Sequence, residues 1–444
     1  MGPSDAKDHP LAASPPGSRA APPREPAGGD PRPGGLSSSA GTQQEDPSHP
    51  LPGAGEPHAV DRDVPGAVRR VLGDLLSERT ERAAALDPVF AGDLAERVAR
   101  FALDGGKLMR PRFVWWALRA CGGGGAEAGA ALRIGAALEL IQTCALVHDD
   151  VMDGSPLRRG RLALHADVAA QYADGMAPAH GTRFGEAAAI LAGDLALAWA
   201  DDIVADTRTA PATDRVVREL WSTMRTEMVA GQYLDIQGQA TSSRSLARAI
   251  RAACLKSALY SVERPLALGA ALAGADAART QALCSAGRCV GIAFQLRDDL
   301  GDVFGGPRHT GKPTGGDIRA GKPTYLVAVA QARAEAAGDR RALILLRQAL
   351  GNVDLSENGL AEVGDVIVRT GARDIVEAKI ARLVTRGLRH LESAPLEAEG
   401  RLRLRELLHA TAGSAPTPPP SCGTPGPVDV PVSLLLGAVE GAAR

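Results

Sequence analysis

A chain of 444 residues with 45% hydrophobic side chains can bury a sizeable core, in one large domain or two ordinary ones. Its formal net charge of −2 supplies no global field to recruit nucleic acid or a membrane surface, so any chemistry on anions must be local. The six cysteines (Cys121, Cys144, Cys254, Cys284, Cys289 and Cys422) show neither CxxC spacing nor a companion histidine cluster, which argues against a zinc site. They read as buried thiols in a reducing, cytoplasmic protein. No signal peptide pattern and no uncharged apolar run of about twenty residues is present, so no transmembrane segment is expected.

Residues 1 to 60 are rich in Pro, Gly, Ala and Ser, a composition that buries too little apolar surface to offset chain entropy, and they are predicted to form a disordered arm. From 61 to 412 the chain alternates Ala/Leu-rich stretches with breaker clusters. The pattern predicts helices over about 65–80, 86–104, 109–120, 126–149, 160–172, 185–206, 213–236, 244–272, 276–303, 322–336, 339–351, 358–369, 372–391 and 397–412. Pro265 should kink the long segment it interrupts. Gly305 to Pro323 is the internal loop densest in breakers. No period-two pattern persists, so the predicted fold class is all-α, a bundle with its chemistry built between facing helices. A second Pro/Gly-rich stretch, 413–444, reads as a low-complexity tail in which Val430 to Ala443 could form a short helix.

Two copies of one acidic pattern dominate the interior: Asp149-Asp150-Val151-Met152-Asp153 and Asp298-Asp299-Leu300-Gly301-Asp302. On a helix, residues one, two and five of DDxxD are expected on a shared face, because side chains three and four apart are neighbours. Three carboxylates on one turn repel one another. Both motifs follow apolar stretches rather than the mixed charge of a solvent face, so a hard divalent cation is the economical counter-charge. Mg²⁺, held by few carboxylates plus water and substrate phosphate oxygens, fits that donor set. The pair points to a diphosphate site.

Such a site needs local cations, and they stand beside both motifs. Gly105-Gly106-Lys107-Leu108-Met109-Arg110-Pro111 places Lys107 and Arg110 at a helix entrance, with glycines that let backbone approach an anion. Arg158-Arg159-Gly160 follows the first motif, and arginine forks suit bidentate phosphate contacts. Gly311-Lys312-Pro313-Thr314 and Gly321-Lys322-Pro323-Thr324 follow the second. Each alone reads as surface charge; together they complete a ligand site.

On these residues the chain resembles the trans-isoprenyl diphosphate synthases, or polyprenyl synthetases, over about residues 65–410. The likeness rests on GGKxxRP, the first DDxxD with RRG, Gly231-Gln232 with Asp235, Lys256-Ser257, Phe294-Gln295 before the second DDxxD, and the two GK pairs. Glu263-Arg264-Pro265-Leu266 adds to a wording closest to actinobacterial short-chain enzymes that make geranylgeranyl diphosphate.

The resemblance implies an isoprenoid-synthase-type helical bundle with a central cavity, a homodimer, and head-to-tail (1′-4) condensation of isopentenyl diphosphate with an allylic diphosphate. By the same resemblance Lys107, Arg110, Gln142 and Arg159 would hold the acceptor diphosphate. Asp149 and Asp153, supported by Asp150, would bind two Mg²⁺ and Asp298 a third, with Asp299 and Asp302 close by, giving about three ions per site. Arg158, Lys256, Lys312 and Lys322 would neutralise the allylic diphosphate, while Ser257 and Gln295 would face the reacting carbons. Leu108, Ser257 and Gln142 depart from commoner family residues (basic, threonine and histidine respectively), and none of the three removes a metal ligand.

Product length in this family depends on what blocks the tunnel below the first motif. Cys144 and Ala145, one turn before Asp149, are small, so growth past farnesyl to geranylgeranyl diphosphate is expected, with Ile141 or Trp199 as the floor. The alternatives are a farnesyl or longer product, or a silent partner subunit of another synthase. A terpene cyclase would need neither the second DDxxD nor the Lys107/Arg110 clamp.

Overall fold

The computed structural model describes residues 57–175, 177–241, 245–305 and 314–413. The expected arm up to residue 56, the tail from 414 with Cys422, and Lys312 lie outside the described residues. Helix begins sooner than residue 61. Pro57–Arg62 forms α1, anchored because Asp61 accepts hydrogen bonds from Trp115 Nε1 at 2.9 Å and from the Arg119 guanidinium.

The next helices are α2 (Val64–Leu86), α3 (88–103, with a π turn at Ala91–Ala95), α4 (Met109–Ala120) and α5 (Ala128–Met152). They are followed by α6 (Leu164–Gln171), α7 (Pro178–Ala205), α8 (Pro211–Ala240), α9 (246–272) and α10 (Ala277–Phe304). The C-terminal half holds α11 (Gly316–Arg319), α12 (Tyr325–Ala336), α13 (Arg340–Ala349), α14 (Glu357–Arg369), α15 (Ala372–Glu392) and α16 (Ala398–Thr411). Starts are set locally: Asp63, Asp276, Thr324, Asp339 and Ser356 each cap a backbone N–H near the first turn, worth about 1 kcal/mol apiece.

The bundle is organised around α5, whose Ile134, Leu138, Leu140 and Ile141 are fully buried. It packs most extensively on α7, then α4 and α2. The stretch Gly125–Met152 is long and apolar enough to cross a membrane, yet most of it is enclosed by other helices, where uniform hydropathy is what a core position requires. On the opposite side α10 lies against α15 and α9.

Two expectations need correction. Residues 160–172 are not one helix: Leu157–Arg158 and Arg161–Leu162 form an antiparallel hairpin, β1 and β2, before α6 starts at Leu164. Arg159 and Gly160 occupy its two-residue turn at φ 52° and 75°, the left-handed pair that matches the twist of paired strands. Pro265 interrupts α9 as expected, but the preceding backbone absorbs it by widening: Cys254–Glu263 is a π helix that ends just before Arg264-Pro265.

Candidate active site

The first acidic motif closes α5. Asp149 and Asp153, one turn apart, meet side chains of α8, α9 and the loop after α10. Asp149 Oδ1 accepts from Lys256 Nζ at 3.0 Å and from Gln232 Nε2 at 2.9 Å, and Asp153 Oδ2 accepts from Lys322 Nζ at 2.9 Å. Burial works against a charge on Asp149, but Lys256 and Lys322 outweigh it and hold the carboxyl below its ordinary range.

Asp150 does not share that face. One residue on, a helix has turned by roughly 100°, and Asp150 is buried against Arg158, whose Nε donates to its Oδ1 at 2.8 Å. Arg158 is itself buried, with Nη2 still 3.9 Å from Asp149 Oδ2. The second motif differs: Asp299 is buried but accepts from Gln295 Nε2 of its own helix at 2.9 Å and lines the pocket, while Asp298 is exposed and Asp302 half-buried. Only in the first motif does residue two tie the helix to a neighbouring element.

The loop after α10 folds back onto this second wall. Gly315 N–H donates to the Asp302 carbonyl at 2.7 Å, and Asp317 N–H donates to Asp302 Oδ2 at 3.0 Å. Lys322, at the end of that loop, reaches Asp153 Oδ2 at 2.9 Å and Asp317 Oδ1 at 3.6 Å, so a single ammonium touches both walls. Burial opposes its charge, but Asp317, Asp153, Asp235 and Asp149 together hold it above the ordinary lysine range. Burial, then Asp317, drives Asp299 up to about 8 and Asp302 to about 6.

This donor set fits a hard divalent cation. On the second wall burial, and after it the neighbouring carboxylates, oppose ionisation of Asp299 and Asp302, and the ammonium groups of Lys256 and Lys322 hold positions where positive charge is wanted. Among the described residues no three His, Cys, Asp or Glu side chains converge closely enough to hold a metal ion by themselves, so a cation here would take water and phosphate oxygens as its remaining ligands.

The pocket is lined by Lys256, Ser257, Gln295, Asp299 and Lys322, five residues singled out from the sequence, brought together by α9, α10 and the loop before α12. It also contains Asp235 and Asp317. Asp235 Oδ2 accepts from Lys256 at 2.9 Å. In the sequence Asp235 belongs to a motif without a role of its own, and Asp317 goes unnoticed where the loop is searched for cations; an acid directly after Gly315-Gly316 is the available signal. Ser257 and Lys256 keep their places because Gly231 of α8 lies on the α9 backbone: a Cβ there would stand 2.7 Å from Lys256 Cα and closer still to its amide nitrogen.

A second cationic cluster lies farther up α5. Arg110 Nη2 donates to Ser261 Oγ at 2.9 Å, its guanidinium lies 4.2 Å from the Tyr260 ring centroid, and Tyr260 O–H donates to Gln142 Oε1 at 2.9 Å. Among the described residues Arg110 Nε is buried with no hydrogen-bond partner, as is Gln232 Oε1 in the first cluster. Arg159, from the hairpin tip, donates to the Asp104 carbonyl at 3.3 Å. Beneath them Glu139 is buried: burial raises its pKa, and Arg110 and Arg159 pull it back. Lys107 is exposed on the glycine loop above, which Leu108, buried and left-handed at φ 45°, pins to the core.

Of the small pair before Asp149, only Ala145 lies one full turn back on its face, half-buried. Cys144 turns toward α7 instead, its Sγ 3.8 Å from His148 Nδ1, while His148 Nε2 lies 3.0 Å from the Ile190 carbonyl. Ile141 and Trp199 are both buried in the core.

A family model described as polyprenyl synthetase matches residues 93–361. The chain is 31% identical over 304 residues to a (2E,6E)-farnesyl diphosphate synthase of Mycobacterium tuberculosis, spanning 68% of this chain and 78% of that one. It is 33% identical over 282 residues to a geranylgeranyl diphosphate synthase of the same organism, spanning 63% and 75%. Among solved structures, a geranylgeranyl pyrophosphate synthase of Corynebacterium glutamicum, described as complexed with isoprenyl diphosphate and magnesium, superposes with a TM-score of 0.72 at 36% identity, covering 78% of this chain and 98% of that one. A match of this extent, together with one ammonium that reaches both the first acidic motif and the loop packed on the second, makes the chain a member of the polyprenyl synthetase family.

Proposed function

We propose that this protein is a cytoplasmic Mg²⁺-dependent prenyltransferase that condenses isopentenyl diphosphate head to tail with allylic diphosphates, giving geranylgeranyl diphosphate and free diphosphate. The observation that carries this reading is Lys322 bridging Asp153 and Asp317, so that one ammonium lies within reach of both acidic walls, with a second cationic cluster around Arg110 available for a second diphosphate. Asp149, Asp153 and Asp298 would hold the cations, about three in number, with Asp299 and Asp302 close to the third, Asp317 steadying the second wall and Asp150 anchoring the first motif helix. When bound, the metal supplies charge neutralisation for the departing diphosphate.

Lys256 and Lys322 would exchange their carboxylate partners for phosphate oxygens of the allylic substrate, joined by Arg158 and Lys312. Closing the pocket around these charges excludes water and strengthens each contact. The allylic C–O bond breaks with its electron pair leaving on the diphosphate. Oxygen dipoles of Ser257 and Gln295 steady the carbon that becomes positive. The acceptor, held through its diphosphate by Lys107, Arg110, Gln142 and Arg159, then forms the new C–C bond from its double bond and loses a proton to the released diphosphate.

Purified enzyme given labelled isopentenyl diphosphate and an allylic primer is expected to yield geranylgeraniol after dephosphorylation and chromatography, and no product with EDTA. Ala145→Phe, which plugs the face below Asp149, should shift the product toward farnesol. Farnesol as the sole wild-type product would overturn the chain-length assignment, and no product at all the reaction.

A homodimer also fits. Phe184 and Leu191 on α7, and Val229 and Tyr233 on α8, are large exposed apolar side chains on two helices that flank the site. Sedimentation is expected to give twice the chain mass, and Tyr233→Glu with Leu191→Glu should shift the species to monomer; a monomeric wild type would refute the pairing.

A further inference from the structure

The π stretch of α9 carries parts of both clusters. Lys256 and Ser257 near its start line the metal-facing pocket, whereas Tyr260 and Ser261, a turn later, hold Gln142 and Arg110. Tyr260 and Ser261 are almost fully buried, so neither has another partner competing from solvent. Tyr260 touches two of the four residues of the acceptor clamp: its ring lies under the Arg110 guanidinium and its hydroxyl meets Gln142.

Building on the proposed reaction, we infer that Tyr260 is a positioning residue for the acceptor diphosphate, fixing which end of the Gln142 amide faces the anion. A glutamine amide has an acceptor end and a donor end, and a diphosphate can use only donors. A carbonyl oxygen cannot donate, so the bond between Tyr260 and Gln142 Oε1 requires the phenol to give its proton. With Oε1 occupied, the Nε2 hydrogens are left for the anion. Burial of the phenol, which drives its ionisation further from neutrality than in water, keeps it a donor across the working pH range. Beneath Arg110 the same ring supplies a negative face that supports the cation without offering a carboxylate that would compete for it. The Ser261 hydroxyl accepts from Arg110 Nη2 and sets the guanidinium plane. An uncharged support of this kind orients two donors and leaves their charge and hydrogens available.

Tyr260→Phe removes the hydroxyl and keeps the ring, so packing and the Arg110 contact persist. Steady-state kinetics on the full chain with Mg²⁺, varying each substrate in turn, should show KM for isopentenyl diphosphate raised about 5-fold, with KM for the allylic diphosphate and kcat within about 2-fold of wild type. In a Gln142→Ala background the Phe substitution should add nothing further, because its effect passes through Gln142. An unchanged acceptor KM, an equal rise for both substrates, or full additivity with Gln142→Ala would each overturn the assignment. An inactive wild type would instead overturn the proposed reaction, which separates the two failures.

Discussion

Asp149→Ala should lower kcat by about 10³-fold or more while circular dichroism and melting temperature stay close to wild type. The carboxylate lies at the end of α5 in a half-buried position, where its hydrogen bonds go to Lys256 and Gln232 rather than to the groups that hold the core together. Removing it relieves repulsion with Asp153, and Lys256 retains Asp235 at 2.9 Å, so the fold loses little. On the proposed reaction, what is lost is an ionised metal ligand on the wall facing the departing diphosphate, where electrostatic stabilisation is the largest effect available to this chemistry. Asp150→Ala, one residue on, should behave in the opposite way. It takes from the buried Arg158 its hydrogen-bonded partner and leaves only Asp149 at 3.9 Å, and breaking a buried pair costs about 3–5 kcal/mol, so the melting temperature should fall sharply. Turnover of Asp149→Ala within a few-fold of wild type would remove the metal assignment.

Gly231→Ala is expected to be the most damaging single-methyl change. Alanine is the better helix former by about 1 kcal/mol, so in an unpartnered stretch of α8 it would stabilise. Here its methyl would collide with the Lys256 backbone, which cannot rotate aside as a side chain can. The helices must separate, at a cost of about 1–3 kcal/mol typical of an overpacked contact. Gln232 and Asp235 ride on one of them and Lys256 and Ser257 on the other, so the separation is felt at the reacting groups. A displacement of about 1 Å there can cost about 10²-fold in kcat/KM. Thermal melting together with kcat/KM measures both effects; a higher melting temperature with full activity would mean that the close approach of α8 and α9 is not real.

The acidic motifs, their flanking cations and the helical periodicity were readable because they rest on local rules: side chains four apart share a face, breakers end helices, and uncompensated carboxylates demand a cation. For the same reason the positions of Asp149 and Asp153 could be anticipated while that of Asp150 could not. Whether the second aspartate turns inward depends on Arg158 reaching it from a hairpin, and hairpins have no helical period to reveal them. Asp317 was missed on similar grounds, since its place is set by the loop folding back onto Asp302.

By itself, then, the sequence determined the helical class, the two acidic motifs and the family likeness, because each follows from residue type and short spacing. Only the tertiary structure decided which lysine spans the walls, that a π stretch of α9 serves both clusters, and that Cys144 faces away from Ala145. Those outcomes depend on how far apart packed helices sit and how a widened turn rotates its side chains, and such distances are fixed by contacts between residues remote in the chain.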